Sequence, residues 1–225
     1  MKHIITKNYV EKELKIIILN LYEAKRNYQL FKNMSSGNNY NFLCKRFPHF
    51  SNVVTNSLFR QSIIIIWRTI YDCDKKSVSI NNLMDIYLAN PNIFTLKKYY
   101  YIPEIGTQKK HRIDLKPEPV NKCILKINED LKKYEFLGEY LKKSRNKLFA
   151  HNDKKFNFNP KKKIGKSKIK YEDIEKFIDL ILEDTNVLYR SLTGSTYAFA
   201  YYELDEVNYI SNLIEKDSHK YDNLK

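Results

Sequence analysis

Between Asn121 and His151 the sequence repeats in steps of three and four: Ile124, Ile127, Leu131, Tyr134, Gly138, Leu141, Arg145 and Leu148 fall on one line. That is the signature of one face of an α-helix. The same period recurs along most of the chain. It runs through Val10, Leu14, Ile17, Ile18, Leu21, Tyr28 and Phe31, and again through Ile174, Phe177, Ile178, Ile181, Thr185 and Leu188. A second long helix is expected over about residues 50–73, after Pro48, and contains the run Ile63 to Trp67. No alternating apolar–polar segment competes with these as a strand. The predicted fold class is therefore all-α, a bundle of four long helices with extra short helices.

The helix ends are legible too. Asn8 with Glu11 three residues on reads as the capping pair of the first helix. Ser79 is expected to cap a short helix through Leu83, Ile86, Tyr87 and Leu88. Gly194 stops the fourth long helix, and a last helix is expected to carry Leu204, Val207, Ile210, Leu213 and Ile214. Four of the six prolines fall within residues 90–120 (Pro91, Pro103, Pro117 and Pro119), which marks an irregular, basic connection. All 225 residues are read as a single domain with that insertion and with a lysine-rich loop at 154–170.

Composition excludes several classes. A hydrophobic content of 43% with 14% aromatic residues is too high for a disordered chain. The apolar run Ile63 to Trp67 is too short to span a bilayer. Met1 to Lys7 lacks the apolar stretch of a secretory signal. Cys44, Cys73 and Cys123 match neither a disulfide framework nor a zinc spacing. A cytoplasmic protein without membrane association is expected. The net charge of +14 is unevenly placed: residues 171–225 hold 12 acidic against 5 basic residues, so the preceding part carries all of the excess. Eight lysines and no acid occupy residues 154–170. A tract of that density attracts polyanions, of which nucleic acid is the commonest. Lysine-rich composition of an AT-rich genome is the plain alternative.

The chemistry concentrates where the third helix ends, in Ser144-Arg145-Asn146-Lys147-Leu148-Phe149-Ala150-His151-Asn152-Asp153. Asn152 suits a left-handed C-cap, which would put His151 at the helix C-terminus, where the dipole favours an imidazolium. Arg145 lies in the apolar stripe and needs a carboxylate, a phosphate or an open cavity beside it. Histidine moves protons near neutral pH, and arginine holds a phosphate through parallel hydrogen bonds. Together they suit cleavage of RNA by its own 2′-hydroxyl, which requires no metal-activated water. No Walker loop, dinucleotide-type glycine fingerprint or metal-ligand spacing is present in the sequence. No cofactor and no metal are expected.

The string Arg145-Asn146-x-x-x-Ala150-His151-Asn152-Asp153, closing an amphipathic helix and running into a lysine loop, resembles the HEPN domains, and most of all their abortive-infection, AbiU-type branch. Trp67-Arg68-Thr69-Ile70-Tyr71-Asp72 followed by Ser77-Val78-Ser79 and Leu83 is similar to the corresponding part of that branch. The resemblance covers about residues 50–190. It implies an all-α, metal-independent endoribonuclease that acts as a homodimer with two motifs facing one another. It further implies cleavage of single-stranded RNA in abortive-infection or antiphage defence, or as a toxin, with an antitoxin or regulatory partner.

Carried onto this chain, His151 becomes the general acid or base, Arg145 steadies charge on the scissile phosphate, and Asn146 orients one or the other. Lys147, Lys154, Lys155, Lys161, Lys162 and Lys163 would hold the RNA backbone. Arg68, Asp72 and Asp153 would support the site from behind or lie at the dimer interface. In an ideal helix Arg145 and His151 stand about 120° and about 9 Å apart, so their convergence requires the long arginine side chain, a distorted helix end or pairing across a two-fold axis. The dimer that the resemblance implies supplies the last route.

Each residue also has a bland reading. His151 could bond only to local carbonyls, Arg145 could pair with Glu139 or Asp153, and Arg68 with Asp72 four residues on. The lysine loop could be merely solvated. Lys97 and Lys98 with Tyr99, Tyr100 and Tyr101 could present a base-stacking surface, or the tyrosines could pack under the connection. Two rival functions follow: a non-catalytic RNA- or nucleotide-binding module, and a helical module that docks a protein.

Overall fold

The computed structural model describes residues 5–35, 45–103, 110–114, 116–145 and 169–195. In chain order they form α1 (Lys7–Ser35), α2 (Pro48–Tyr71), α3 (Ile80–Ala89), a 3-10 turn (Pro91–Ile93), β1 (Tyr99–Pro103), β2 (Lys110–Asp114), α4 (Val120–Lys133), α5 (Glu135–Arg145) and α6 (Tyr171–Thr193). The architecture is helical. The helix expected after Gly194, like most of the lysine-rich loop, lies outside the described residues.

Local chemistry sets the boundaries. α1 starts one residue before the expected Asn8, because the Thr6 hydroxyl accepts the backbone N–H of Tyr9 (3.3 Å) and is the cap. Pro48 occupies the first turn of α2, where a missing N–H costs nothing. α2 ends at Tyr71 and Asp72 turns extended. The Asp72 carboxylate accepts the N–H of Asp74 (3.1 Å), and the Asp72 carbonyl accepts the Ser79 hydroxyl (2.6 Å). Ser79 also accepts the N–H of Asn82 and so caps α3 as expected. The Asn82 amide closes the turn by donating to the carbonyls of Asp74 and Ser77. α6 ends at Gly194, whose φ of 73° is left-handed and whose N–H bonds to the Arg190 carbonyl.

Two expectations are corrected. The connection read as irregular over 90–120 contains an antiparallel hairpin, with Tyr99 opposite Asp114 and Tyr101 opposite Arg112. Its tyrosines and Ile102 have strand propensity, but five-residue strands are too short for a visible alternation. The single long helix from Asn121 bends at Tyr134 into α4 and α5. The Tyr134 N–H still reaches the Asp130 carbonyl, so the apolar line continues through the bend.

α1 is the centre of the bundle and packs on α2 and α6; α6 packs on α4, and α2 on α5. The core holds Leu14, Ile17, Ile18 and Leu21 of α1, Ile63, Ile66 and Ile70 of α2, and Phe177, Ile178 and Ile181 of α6, all at or near zero exposure. One end is closed by aromatic contacts among Tyr28, Phe31, Phe59 and Tyr171. There the Tyr28 hydroxyl donates to the Tyr171 carbonyl (2.8 Å). Burial raises its pKa far above the usual phenolic range, which keeps it a donor. Contacts along α4, α5 and α6 keep one antiparallel register: Lys126 meets Asp184, Tyr134 meets Phe177, and Tyr140 lies near Tyr171. Arg145 and Arg190 therefore stand at opposite ends of this layer.

Candidate active site at the end of α5

Arg145 is the last described residue of α5 and is half-buried. Its guanidinium carbon sits 3.9 Å from the centroid of the Trp67 ring on α2. The contact is a cation–π pair, worth about 0.5–2 kcal/mol depending on how dry it is. Among the described residues no carboxylate lies within ion-pair distance of Arg145. Glu139, one expected partner, instead bonds to Lys143 (3.4 Å). The ring faces the positive charge, and among the described residues the guanidinium N–H groups have no hydrogen-bond partner.

Two side chains steady the end of the helix from inside. Ser144 and Tyr140 are buried. The Tyr140 phenol is pushed up to about 12 by burial, against a hydrogen bond with Ser144 that pulls it down. Further back, α5 comes so close to α2 that a Cβ on Gly138 would sit 2.8 Å from both Cζ and Oη of Tyr71. Gly138 in the apolar line is thus a point of close approach. That approach carries α5 past Trp67 at the height where Arg145 can reach it.

A cleft of about 870 Å³ opens beside the stack, lined by Trp67, Tyr71, Asp72, Asn81, Gly138, Lys142 and neighbouring side chains. Asp72 is in its wall, but its carboxylate is taken up by the α2–α3 turn. Arg68 is exposed on α2 and makes no pair with Asp72, so the bland i,i+4 bridge is absent: the Asp72 carboxylate accepts the Asp74 N–H instead. Asn146, Lys147, His151, Asp153, Lys154, Lys155, Lys161, Lys162 and Lys163 lie outside the described residues. Among the described residues no group of three His, Cys, Asp or Glu could hold a metal ion, and no helix is long and apolar enough to cross a membrane.

The helix that carries Arg145 packs on the helix that carries Trp67-Arg68-Thr69-Ile70-Tyr71, so the two segments that carry the resemblance are neighbours in the fold. Comparison of the whole chain decides the matter: residues 6–213 match the HEPN family described as AbiU2. The chain belongs to the AbiU2 family of HEPN domains. No curated protein matches it, and no solved structure does. AbiU2 membership extends the resemblance, which the motifs carry over about residues 50–190, to the flanking helices as well. It places the chain among abortive-infection-type HEPN modules, a group in which ribonucleases are common.

Within this AbiU2 chain the residue that sequence reasoning missed is Trp67. In the sequence it is a helix residue beside Arg68, whereas in the fold it is Trp67 that meets Arg145. The signal for it was composition: it is the single tryptophan of the chain, directly after a run of four isoleucines.

Proposed function

We propose that the protein is a metal-independent endoribonuclease that cleaves single-stranded RNA. The supporting observation is Arg145, held on Trp67 with no ion-pair partner among the described residues, one residue before the sequence Asn146 to His151 of an AbiU2-family chain. In this reading the 2′-hydroxyl attacks the adjacent phosphorus as its proton leaves to a base. The bond from phosphorus to the 5′-oxygen breaks, and that oxygen takes up a proton. The products are a 2′,3′-cyclic phosphate and a 5′-hydroxyl. His151 moves a proton in one of the two transfers, Arg145 steadies the charge gathering on the phosphoryl oxygens, and Asn146 orients the phosphate or the imidazole.

The same reading assigns Lys147, Lys154, Lys155, Lys161, Lys162 and Lys163 to the RNA backbone, and makes the active species a homodimer in which Arg145 and His151 meet across the two-fold axis. The same reading gives the protein a role in abortive-infection defence or as a toxin, under the control of an antitoxin or regulatory partner; membership of an abortive-infection-type family supports the defence role. The test is RNA cleavage in EDTA by wild type and His151→Ala, with end-group analysis of the products. Cyclic-phosphate ends from wild type and loss of at least about a hundredfold in rate in His151→Ala are expected. Equal rates in the two proteins would sink the assignment.

A further inference from the structure

At the far end of the α4–α6 layer from Arg145 lies a second cleft, of about 1040 Å³, between the base of the hairpin and the end of α6. Lys97, Lys98, Lys116 and Arg190 line it, all exposed, together with Tyr99 and Glu118. Glu118, the one carboxylate in the lining, is bonded to Lys122 (2.8 Å). None of the four cations has an ion-pair partner among the described residues. Lys7 approaches the same place: its ammonium bonds to the carbonyl and hydroxyl of Thr95. Burial lowers its pKa, Glu11 raises it, and the nearby charge of Lys97 lowers it further.

Two of the C-terminal carbonyls of α6 already accept backbone hydrogen bonds. The Ser191 carbonyl accepts the Lys97 N–H (2.9 Å), and the Arg190 carbonyl accepts the Gly194 N–H (2.8 Å). Among the described residues, positive charge here costs repulsion and brings no ion pair in return. At the mouth, Tyr99 presents a partly exposed aromatic ring, with the Arg112 guanidinium 4.3 Å from its centroid. Cations in a concave surface with an exposed aromatic edge are the elements of a single-strand binding platform.

We infer that this cleft binds a flank of the single-stranded RNA substrate, with Lys97, Lys98, Lys116 and Arg190 on phosphates and Tyr99 stacking a base. The inference rests on RNA being the substrate. From the Tyr171 end of α6 to Arg190 is about 29 Å, so one strand reaching both places spans several nucleotides. The two clefts then act as a cutting end and a holding end of one molecule.

The test measures binding alone, in the catalytically silenced His151→Ala full-length protein with EDTA present, by fluorescence anisotropy of a labelled RNA of about 20 nucleotides across a salt series. Replacing Lys97, Lys98, Lys116 and Arg190 by Gln should flatten the log–log salt slope by about 0.7 for each phosphate that the variant no longer holds. A control replaces four other exposed lysines, Lys12, Lys75, Lys76 and Lys133, by Gln. It keeps the net charge equal to that of the cleft variant and should retain the wild-type slope. Tyr99→Ala should weaken RNA binding at unchanged slope and leave inorganic polyphosphate binding unaltered, while Tyr99→Phe binds RNA as wild type does.

An unchanged slope in the cleft variant, with its circular dichroism intact, overturns the inference. So does an equal fall in the control, or equal loss of polyphosphate binding in Tyr99→Ala. Because cleavage is read separately in the wild type, absence of ribonuclease activity would overturn the proposed function and leave this binding result standing.

Discussion

Trp67 sits where three requirements meet: it closes the apolar run of α2, borders a cleft and carries the Arg145 charge on its ring. Removing the ring while keeping an apolar side chain should loosen Arg145 without unfolding α2. Trp67→Leu is expected to lower kcat/KM for RNA cleavage by about tenfold, and Trp67→Phe to retain most of it, a difference of about 1.4 kcal/mol in transition-state stabilisation. As the sole tryptophan it also reports on its partner. Arg145→Ala should shift the intrinsic emission of the folded protein, and an unshifted spectrum would argue against the stack. Gly138 makes the opposite kind of demand. Alanine is the better helix former by about 1 kcal/mol, yet its Cβ would strike the Tyr71 ring at 2.8 Å. Gly138→Ala should therefore destabilise by about 1–3 kcal/mol in urea unfolding. The buried Tyr71 hydroxyl has no hydrogen-bond partner among the described residues, so Tyr71→Phe should leave stability unchanged or improve it.

Where α4 meets α6, Asp184 is buried and its carboxylate accepts a hydrogen bond from Lys126 (2.5 Å). Burial pushes its pKa up, Lys126 pulls it down, and a hydrogen bond and repulsion from Asp130 push it up again, to about 6. The folded value thus exceeds the ordinary aspartate value of 3.8, and over the interval between them the folded state holds the extra proton. This site contributes stability that is fully present below the ordinary value and is lost as the pH rises through about 6. Thermal unfolding at about pH 4.5 and about pH 7 should show the difference, and Asp184→Asn should flatten it. The effect is on the order of 2 kcal/mol. The ion pairs that join α1 to α6, Lys25 with Asp179 and Lys32 with Glu175, are partly exposed and contribute little.

For the assembled molecule the decisive question is whether Arg145 and His151 act from one chain or from two. Mixed dimers of Arg145→Ala and His151→Ala answer it. If the residues meet across the two-fold axis, one site in each mixed dimer regains both, and random mixing restores roughly a quarter of wild-type activity. If both act within one chain, mixing two dead proteins restores nothing. The charge division of the chain bears on the same scale. The net of +14 averages a strongly basic body and an acidic C-terminal part. Part of the basic excess is gathered at the far cleft, on Lys97, Lys98, Lys116 and Arg190, about 29 Å along α6 from its start.

The amino-acid sequence by itself determined that the fold is helical and where most helices run. Their period is a local property, and caps such as Ser79 and Gly194 act within about four residues. It also showed Arg145 as a cation in an apolar line, a misfit visible without any partner. Tertiary structure alone decided what resolves that misfit. Trp67 and Arg145 lie on different helices, and no periodicity records which faces will meet. The bend at Tyr134, the close approach of Gly138 to Tyr71, and the convergence of Lys97, Lys116 and Arg190 on one cleft are likewise products of packing. Each depends on distances between elements that the chain sets only once it has folded.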